Sequence, residues 1–233
     1  MDTTEIQQAL REIGFPIEVN GQLDDRSVEA VSDFQQGWAR GDDLAVDGDP
    51  GPLTQAALTK CVAEGGQCGE FFVFREFKNR CNDNAWPKVH RSLVRGLDAY
   101  RRQAGPVSIV SAFRDDDCNA QAGGAPLSQH RHGNAADIPE ALSQAEVVAL
   151  GVFSGVGVVF ETDMVVHVDC RHEGPNTTGG TPDSPTIWFY GGPSETVFDE
   201  EPGEHARYTR PRADEGAADG APGAGGSEGA EAP

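Results

Sequence analysis

The segment over residues 128–137, with the sequence SQHRHGNAAD, limits what this chain can fold into more than any other. It holds His130 and Asp137 seven residues apart, with a glycine and two alanines among the residues between them. Imidazole and carboxylate groups are zinc ligands, and small residues let the backbone pass close to an ion without steric conflict. A fold built on this segment has to bring a further ligand to the same place.

A later segment, residues 165–169 with the sequence VVHVD, offers that ligand. His130, Asp137 and His167 together supply the three protein ligands of a catalytic zinc site, which keeps one position open for water. Zinc lowers the pKa of such a water to about 7 and polarises the carbonyl group under attack. The three residues therefore predict a Zn²⁺ site with hydrolytic chemistry. The alternative is that each histidine is an unrelated surface or core residue.

Two aspartates and an arginine are candidates for the remaining chemistry. Side chains alternate along a strand, so His167 and Asp169 are expected to share a face, and Asp163 joins them if the strand begins that early. Either aspartate could accept a proton from the attacking water and return it to the leaving amine. Arg114, at the end of a predicted strand over residues 107–113, is expected to bind a substrate carboxylate or the developing negative charge.

The N-terminal part of the chain has the pattern of a small helical region. Apolar residues recur every three or four positions, as in amphipathic helices. They are Ile6, Leu10, Ile13, Val28, Val31 and Phe34. The sequence DGDPGP over residues 47–52 predicts a turn before a third, short helix. The Gly65–Gly66 pair predicts a flexible connection over residues 64–70, and we place a domain boundary there.

The following part of the chain mixes helical and strand periods. The predicted elements are an aromatic edge segment over residues 71–77, a helix over 87–103, a strand over 107–113, a loop over 115–126, a helix capped by Ser143, a hairpin over 155–169 and an edge element over 187–190. The chain is therefore predicted to be α+β. A three-helix domain spans residues 3–63, and a second domain with a small antiparallel sheet spans residues 68–195.

Composition limits the partners of the chain. Its 233 residues carry a formal net charge of −20, which repels phosphate groups and anionic lipid, so nucleic acid is excluded as a partner. No run of about 18 apolar residues is present, so no membrane insertion is expected. Proline, glycine, alanine and acidic residues dominate from about residue 200, so residues 200–233 are predicted to be a disordered acidic tail. We expect a monomer.

The N-terminal region also carries a series of short family-specific motifs. They are QQAL at residues 7–10, GF at 14–15, GQLD at 21–24, AV at 30–31, FQ at 34–35, VDG at 46–48 and GPLT at 51–54. In this order they resemble the three-helix peptidoglycan-binding domain of bacterial and phage cell-wall hydrolases. The resemblance implies that bacterial peptidoglycan is the partner of residues 3–63. The alternative is a helical bundle with a purely structural role.

A second resemblance covers about residues 71–172. Its motifs are SAFR at residues 111–114, CN at 118–119, GGA at 123–125, SxHxxGxAxD at 128–137 and HVD at 167–169. They resemble the zinc D-alanyl-D-alanine carboxypeptidases and the related VanY-type peptidases. The resemblance implies that His130, Asp137 and His167 are the zinc ligands. It also implies that Ser128 and Arg114 contact the substrate or orient the site.

The same resemblance bears on the five cysteines. It implies a disulfide bond between Cys81 and Cys118, because the family has a cysteine beside each of the two matching motifs. Proximity in sequence suggests a second bond between Cys61 and Cys68, which leaves Cys170 free. Disulfide bonds indicate that the protein acts in an oxidising environment outside the cell.

The chain departs from the family pattern at one position. Many relatives place an acid/base carboxylate three residues before the last histidine ligand, and Met164 occupies that position here. Asp163 lies one residue too early, whereas Asp169 gives the His-x-Asp form that some relatives carry. The resemblance therefore favours Asp169 over Asp163 as the catalytic base.

Together these features predict a zinc-dependent peptidoglycan peptidase, of endolysin or D,D-carboxypeptidase type, that cuts stem peptides or cross-bridges. The N-terminus lacks the basic start and apolar stretch of a secretory signal, which favours a phage lysin. The expected location is the cell wall or extracellular space, or the host cytoplasm before release. The alternative is a non-catalytic wall-binding or virion structural protein with a degenerate peptidase domain, because Met164 replaces the usual acid.

Overall fold

The computed structural model describes residues 1–81, 85–173 and 179–191. Within these residues helices are combined with one small sheet, so the predicted α+β class is confirmed. None of the described helices has the length and apolar character that a membrane crossing needs. The acidic tail predicted over residues 200–233 lies outside the described residues.

Three helices form the N-terminal region, as predicted: α1 over Thr3–Ile13, α2 over Asp25–Gly37 and α3 over Pro52–Ala63. The side chains of Asp2 and Asp24 cap α1 and α2 by accepting hydrogen bonds from backbone N–H groups of the first turn. These caps satisfy donors that have no partner inside a helix, and they fix where each helix begins.

Two buried glutamines hold the loops between these helices. Gln7 in α1 and Gln35 in α2 each bind the loop that follows their own helix. The partners of Gln7 are the N–H groups of Asn20 and Gly21, the carbonyl group of Gln22, and the side chains of Asn20 and Ser27. The partners of Gln35 are the N–H groups of Asp47 and Gly48, the carbonyl group of Asp49, and the side chains of Asp47 and Thr54. Both side chains are thus fully used inside the region.

Three further helices follow: α4 over Arg91–Ala104, α5 over Asp116–Gln121 and α6 over Gln144–Ala149. The cap predicted at Ser143 is confirmed, since its side chain accepts from the N–H group of Glu146. The helix α5 lies where a loop was expected. It forms because Asp115 accepts a hydrogen bond from the N–H group of Cys118, so that an acidic residue serves as a cap.

The sheet has four strands in the order β1-β3-β2-β4. They are β1 over Ala135–Asp137, β2 over Gly155–Val159, β3 over Met164–Asp169 and β4 over Thr186–Tyr190. The pairs β1–β3 and β2–β3 are antiparallel, but β4 runs parallel to β2. The predicted small sheet is present, but it is mixed, because one of its strand pairs is parallel rather than antiparallel. A parallel partner needs a long crossover, and the chain between β3 and β4 provides it.

The prediction of a strand over residues 107–113 is wrong. The segment forms an isolated antiparallel bridge, in which Ser111 pairs with Asp137. The N–H group of Asp137 donates to the Ser111 carbonyl oxygen at 2.7 Å, and the N–H group of Val110 donates to the Asp137 carbonyl oxygen at 2.8 Å. Pairing stays short because β1, the partner strand, is itself only three residues long.

Aromatic side chains from both regions pack into one core. Phe74 lies against Phe15 and Phe34 of the helical region, with ring centroids 5.8 and 5.5 Å apart. Gly37 makes room for it, because a Cβ atom there would lie 2.6 Å from the Phe74 ring. The aromatic edge segment therefore packs between the two regions rather than at the edge of the second core, which corrects the expectation.

Polar contacts accompany this shared core. The indole N–H group of Trp86 donates to Asp33 at 2.7 Å, and Lys88 pairs with the other Asp33 oxygen at 3.2 Å. Burial raises the pKa of Asp33, although Lys88 and Trp86 oppose the shift. Arg91 of α4 donates to the carbonyl group of Gln35 in α2 at 3.0 Å. These contacts give the two regions a fixed mutual orientation.

The connection between the regions is hydrogen-bonded rather than open. The N–H group of Gly66 donates to the Cys61 carbonyl oxygen at 2.8 Å, and that of Cys68 donates to the Phe72 carbonyl oxygen at 3.0 Å. Gln67 and Val73 form an antiparallel bridge. The domain boundary placed here stays a prediction.

The disulfide bond between Cys81 and Cys118 is present, as the family resemblance implied. Cys61, Cys68 and Cys170 are free and buried. The suggested bond between Cys61 and Cys68 is therefore wrong. The thiol of Cys68 instead contacts the Phe72 carbonyl oxygen at 3.4 Å, inside the core that joins the two regions.

Candidate metal centre

Three elements bring the predicted ligands together. His130 lies in a 3₁₀ turn over Gln129–His132, Asp137 ends β1, and His167 lies on β3 directly opposite Asp137 in the strand register. His130 Nε2 is 3.2 Å from Asp137 Oδ1 and 3.3 Å from His167 Nδ1. The distance between His167 Nδ1 and Asp137 Oδ1 is 2.8 Å. The three atoms form a small triangle at one edge of a cavity.

Other contacts determine which nitrogen of each imidazole faces the triangle. His130 Nδ1 lies 2.6 Å from the carbonyl oxygen of Ala112, which can only accept, so this nitrogen carries the hydrogen. His167 Nε2 lies 3.4 Å from the Asp169 carboxylate and is the donor there for the same reason. In neutral imidazoles the lone pairs of the other two nitrogens then point at the Asp137 oxygen.

Three acceptors that face one another repel unless a cation lies between them. Zinc ligands placed about 2.0–2.1 Å from the ion at tetrahedral angles would be about 3.3–3.4 Å apart. The observed separations of 2.8, 3.2 and 3.3 Å are close to that spacing. The donor set and its spacing therefore fit a zinc ion.

The acid–base properties of the triangle show the same need for positive charge. Burial lowers the pKa of His130, against the pull of Asp137. Burial alone would also lower the pKa of His167, but its hydrogen bonds with Asp137 and Asp169 outweigh burial and raise it. Burial would raise the pKa of Asp137, yet the hydrogen bonds with both histidines lower it well below its usual range.

Arg114 supports Asp137 from the outside. Its guanidinium group donates to Asp137 Oδ2, the oxygen that does not face the histidines, and its Nε donates to Ser111 Oγ at 2.9 Å. Each ligand of the triangle thus has an outer partner that fixes its orientation, as is usual for metal ligands. Arg114 also lines the cavity, and its contact with substrate stays a prediction.

Asp169 is buried beneath His167. Its carboxylate accepts two hydrogen bonds from the guanidinium group of Arg171, at 2.9 and 2.6 Å, in addition to the contact with His167. Burial would raise the pKa of Asp169, but the bonds from His167 and Arg171 lower it below the usual range. A carboxylate held in this way is a weak proton acceptor and is suited to orienting His167.

The structure does not bring Asp163 to the triangle. The strand β3 begins at Met164, and Asp163 lies in the preceding turn with a positive φ of 58°. It is not among the described residues that line the cavity. The position of Met164, three residues before His167, carries no carboxylate either.

The triangle opens onto a cavity of about 570 Å³. Ser128 and Arg114, the two predicted substrate contacts, line it. Trp188 and Tyr190 of β4 form another part of its lining, and the Trp188 ring lies 5.0 Å from the His167 ring. Neither aromatic residue was predicted from the sequence to belong to the site. Their spacing of two residues on one strand placed them on one face, but nothing in the sequence indicated which strand would lie beside them.

Gly157 allows these aromatic residues to approach the site. It pairs with His167 on one side and with Trp188 on the other. A Cβ atom at this position would lie 2.8 Å from the Tyr190 ring and 3.0 Å from both His167 and Trp188. Any larger residue in the middle of β2 would therefore displace the third ligand or the cavity lining.

A second cluster of ligand-type groups carries no metal site. Cys81, Asp115 and Cys118 lie close together, but the two sulfur atoms form the disulfide bond. Of the other histidines, His90 caps α4, and His172 contacts Ser154 Oγ at 2.8 Å. Both contacts are structural.

Comparison with known families gives one match for each of two parts of the chain. Residues 70–169 match the Peptidase M15 family model. Residues 2–58 match the model described as a putative peptidoglycan binding domain. These two matches confirm both family resemblances, and they lie in the order that the motifs predicted.

One relative is a zinc D-Ala-D-Ala carboxypeptidase from Streptomyces albus G. It is 31% identical over 149 residues, which cover 57% of this chain and 56% of the relative. The chain therefore spans about half the length of the relative it matches.

Proposed function

We propose that this chain is a zinc-dependent peptidase that hydrolyses peptide bonds in bacterial peptidoglycan. The observation that carries the proposal is the triangle of three acceptor atoms from His130, Asp137 and His167, which needs a cation and has the spacing of zinc ligands. The family matches and the name of the relative support the choice of metal and substrate.

A zinc ion held by these three residues would supply a Lewis acid that activates water at neutral pH. Asp169 and Arg171 keep His167 in the tautomer that presents Nδ1. Arg114 keeps one Asp137 oxygen turned towards the histidines and presents positive charge to the cavity, where a substrate carboxylate or developing oxyanion would be stabilised.

The proton-transfer role of Asp169 is part of the proposal, with a restriction. To act as a base, Asp169 would have to weaken its bonds with Arg171, which lower its proton affinity. We therefore assign Asp169 first to orienting His167. Asp163 could serve as a base only if the turn before β3 rearranged, and we do not give it that role.

The finer proposal concerns the bond that is cut. We propose removal of a terminal D-alanine, because the relative is named as a D-Ala-D-Ala carboxypeptidase and because a free carboxylate could meet Arg114 in the cavity. The competing activity is endopeptidase cleavage of stem peptides or cross-bridges, as in an endolysin. The proposed location is the bacterial cell wall, where the N-terminal region would hold the enzyme on its substrate.

Metal analysis and product analysis test this proposal together. Purified protein should contain about one zinc per chain, lose activity on chelation and regain it when zinc is returned. The variant His130→Ala should lose both zinc and activity, whereas His132→Ala, two residues away and outside the triangle, should keep both. Mass analysis of digested wall should show loss of single alanines, and release of larger fragments would instead support an endopeptidase.

A non-catalytic wall-binding or virion protein is the second candidate. It is favoured by Met164 in place of an acid, and by a cavity whose described lining holds no carboxylate other than Asp137 and Asp169. Under this alternative, the zinc-loaded protein would bind purified walls and release no fragment from them.

A further inference from the structure

A second cavity adjoins the one that contains the metal centre. Its volume is about 330 Å³, and it shares Arg114 and Ala122 with the first cavity. The rest of its lining comes from residues 78–81, 111–113 and from α5. Arg114 thus lies between the two cavities, and a peptide bound at the metal centre can extend past it.

The charge of this second cavity is opposite to that of the whole chain. Lys78, Arg80 and Arg114 line it, and no carboxylate is among its described lining residues, although the chain has a net charge of −20. Arg114 is paired with Asp137. Lys78 and Arg80 have no ion pair with any described residue, in contrast to most of the arginines in the described part of the chain.

The Arg80 side chain is held by neutral groups. Its guanidinium group donates to the backbone carbonyl oxygens of Glu76 at 3.2 Å and Val110 at 3.4 Å. Carbonyl oxygens orient a guanidinium group and leave its charge uncancelled. The disulfide bond between Cys81 and Cys118 then ties the segment that carries Arg80 to α5 on the other wall of the cavity.

One carboxylate lies beside this cavity and is already engaged. Asp115 contacts the lining residue Asn79, whose side-chain amide donates to it at 2.7 Å, and it also accepts from the N–H group of Cys118 at 2.9 Å. Within the described part of the chain no hydrogen bond or ion pair joins Asp115 to Lys78 or Arg80, so the positive charge of these two residues remains available to a ligand.

We propose that the cavity lined by Lys78 and Arg80 is a subsite for a second carboxylate of the peptide substrate, one that lies away from the bond being cut. The inference rests on the proposed peptidase function and deepens it, because it names a chemical feature of the substrate. A guanidinium group can bind a carboxylate through two parallel hydrogen bonds, and Lys78 adds a nearby point charge. A substrate in which this carboxylate is converted to an amide loses both interactions.

The test uses the zinc-loaded full chain and two peptides that end in D-alanyl-D-alanine. The peptides are identical except that one side-chain carboxyl group, upstream of the cut bond, is free in one and amidated in the other. We expect the KM for the free acid to be about fivefold lower than that for the amide, with similar kcat, since a partly exposed ion pair contributes at most about 1 kcal/mol. Arg80→Gln should reduce this preference to about twofold, and Lys78→Gln should reduce it by about half.

Lys60→Gln is the matched control, because it removes the same charge from an exposed position in α3. It should keep the preference of the parent protein. Zinc content and melting temperature of each variant establish that the metal centre and fold are intact. An unchanged preference in both Arg80→Gln and Lys78→Gln overturns the subsite, as does a parent protein that cleaves both peptides equally well. A zinc-loaded parent that cleaves neither peptide overturns the proposed function itself, and the subsite with it.

Discussion

The N-terminal helical region and the region over residues 70–169, here called the peptidase region after its family match, both bury polar side chains but direct them differently. In the helical region Gln7 and Gln35 bind loops of the same region, and their donors and acceptors are used within the fold. In the peptidase region His130, Asp137 and His167 turn acceptor atoms towards one another at the edge of a cavity. A buried polar group that is satisfied by its own fold stabilises, whereas one left facing like groups marks a place for a ligand.

We expect the largest effect from removing the helical region, which tests whether the two regions can fold separately. Removing residues 1–63 would expose the apolar surface around Phe74 and Trp86 that now packs on Phe15 and Phe34. We expect the truncated chain to lose its cooperative thermal transition, because the removed residues form part of the core and do more than attach the chain to the cell wall. Circular dichroism during heating measures this. A truncated chain that melts cooperatively and binds zinc like the full chain would show two independent domains.

The next prediction concerns the inward-facing glutamines. Gln35→Leu leaves the N–H groups of Asp47 and Gly48 without their acceptor, so the free energy of unfolding should fall by about 2–4 kcal/mol. Zinc affinity should not change. Gln36→Leu is the matched control, since the Gln36 side chain is half-buried and makes no hydrogen bond with any described residue. Its effect should stay within about 0.5 kcal/mol. Denaturant titration with and without zinc separates the two quantities.

The converse prediction concerns the outer partner of Asp137. Arg114→Gln removes the donor that holds Asp137 Oδ2, and zinc should bind about tenfold more weakly with little change in unfolding free energy. Competition with a chromophoric chelator measures the affinity. Arg131 lies in the 3₁₀ turn that carries His130 and pairs with Asp116. Arg131→Gln should leave zinc binding unchanged. Equal losses in both variants would mean that general charge, and not the contact with Asp137, controls the metal.

The smallest effect is that of pH on zinc binding. His167 has a raised pKa in the metal-free protein, above its ordinary value of 6.5, whereas the pKa of His130 is lowered. Below the raised pKa a proton occupies His167, and the metal must displace it. Zinc affinity should therefore fall as the pH drops through this range, by at most about tenfold per pH unit. A steeper fall, towards a hundredfold per unit, would show that both histidines are protonated together.

Local signals explain what the sequence predicted well. The caps and apolar spacing of α1 and α2, the cap at Ser143 and the short turn between β2 and β3 involve residues close together in the chain. The two segments of the metal centre were also predicted correctly as candidates, because histidine and aspartate are recognisable as metal ligands from their residue type alone. Their meeting point follows from one strand pairing, Asp137 opposite His167.

Non-local contacts explain what was missed. The parallel strand β4 brings Trp188 and Tyr190 to the cavity, and this depends on a crossover whose course no local pattern indicates. The packing of Phe74 on the helical region likewise depends on Gly37, a residue far away in the chain. The segment over residues 107–113 has the composition of a strand, but the length of its partner, and not its own propensity, decided how far pairing could extend.

The position of His167 on β3 has a consequence for how the protein would acquire its metal ion. The strand β3 is paired on both sides, by β1 and by β2, so the third ligand is anchored by hydrogen bonds that do not involve the metal. The protein can therefore fold before it binds zinc, in contrast to small zinc domains that are unfolded until they bind the metal. If the proposed activity is correct, a shortage of zinc would leave the protein inactive but folded, and activity would return as soon as zinc is bound.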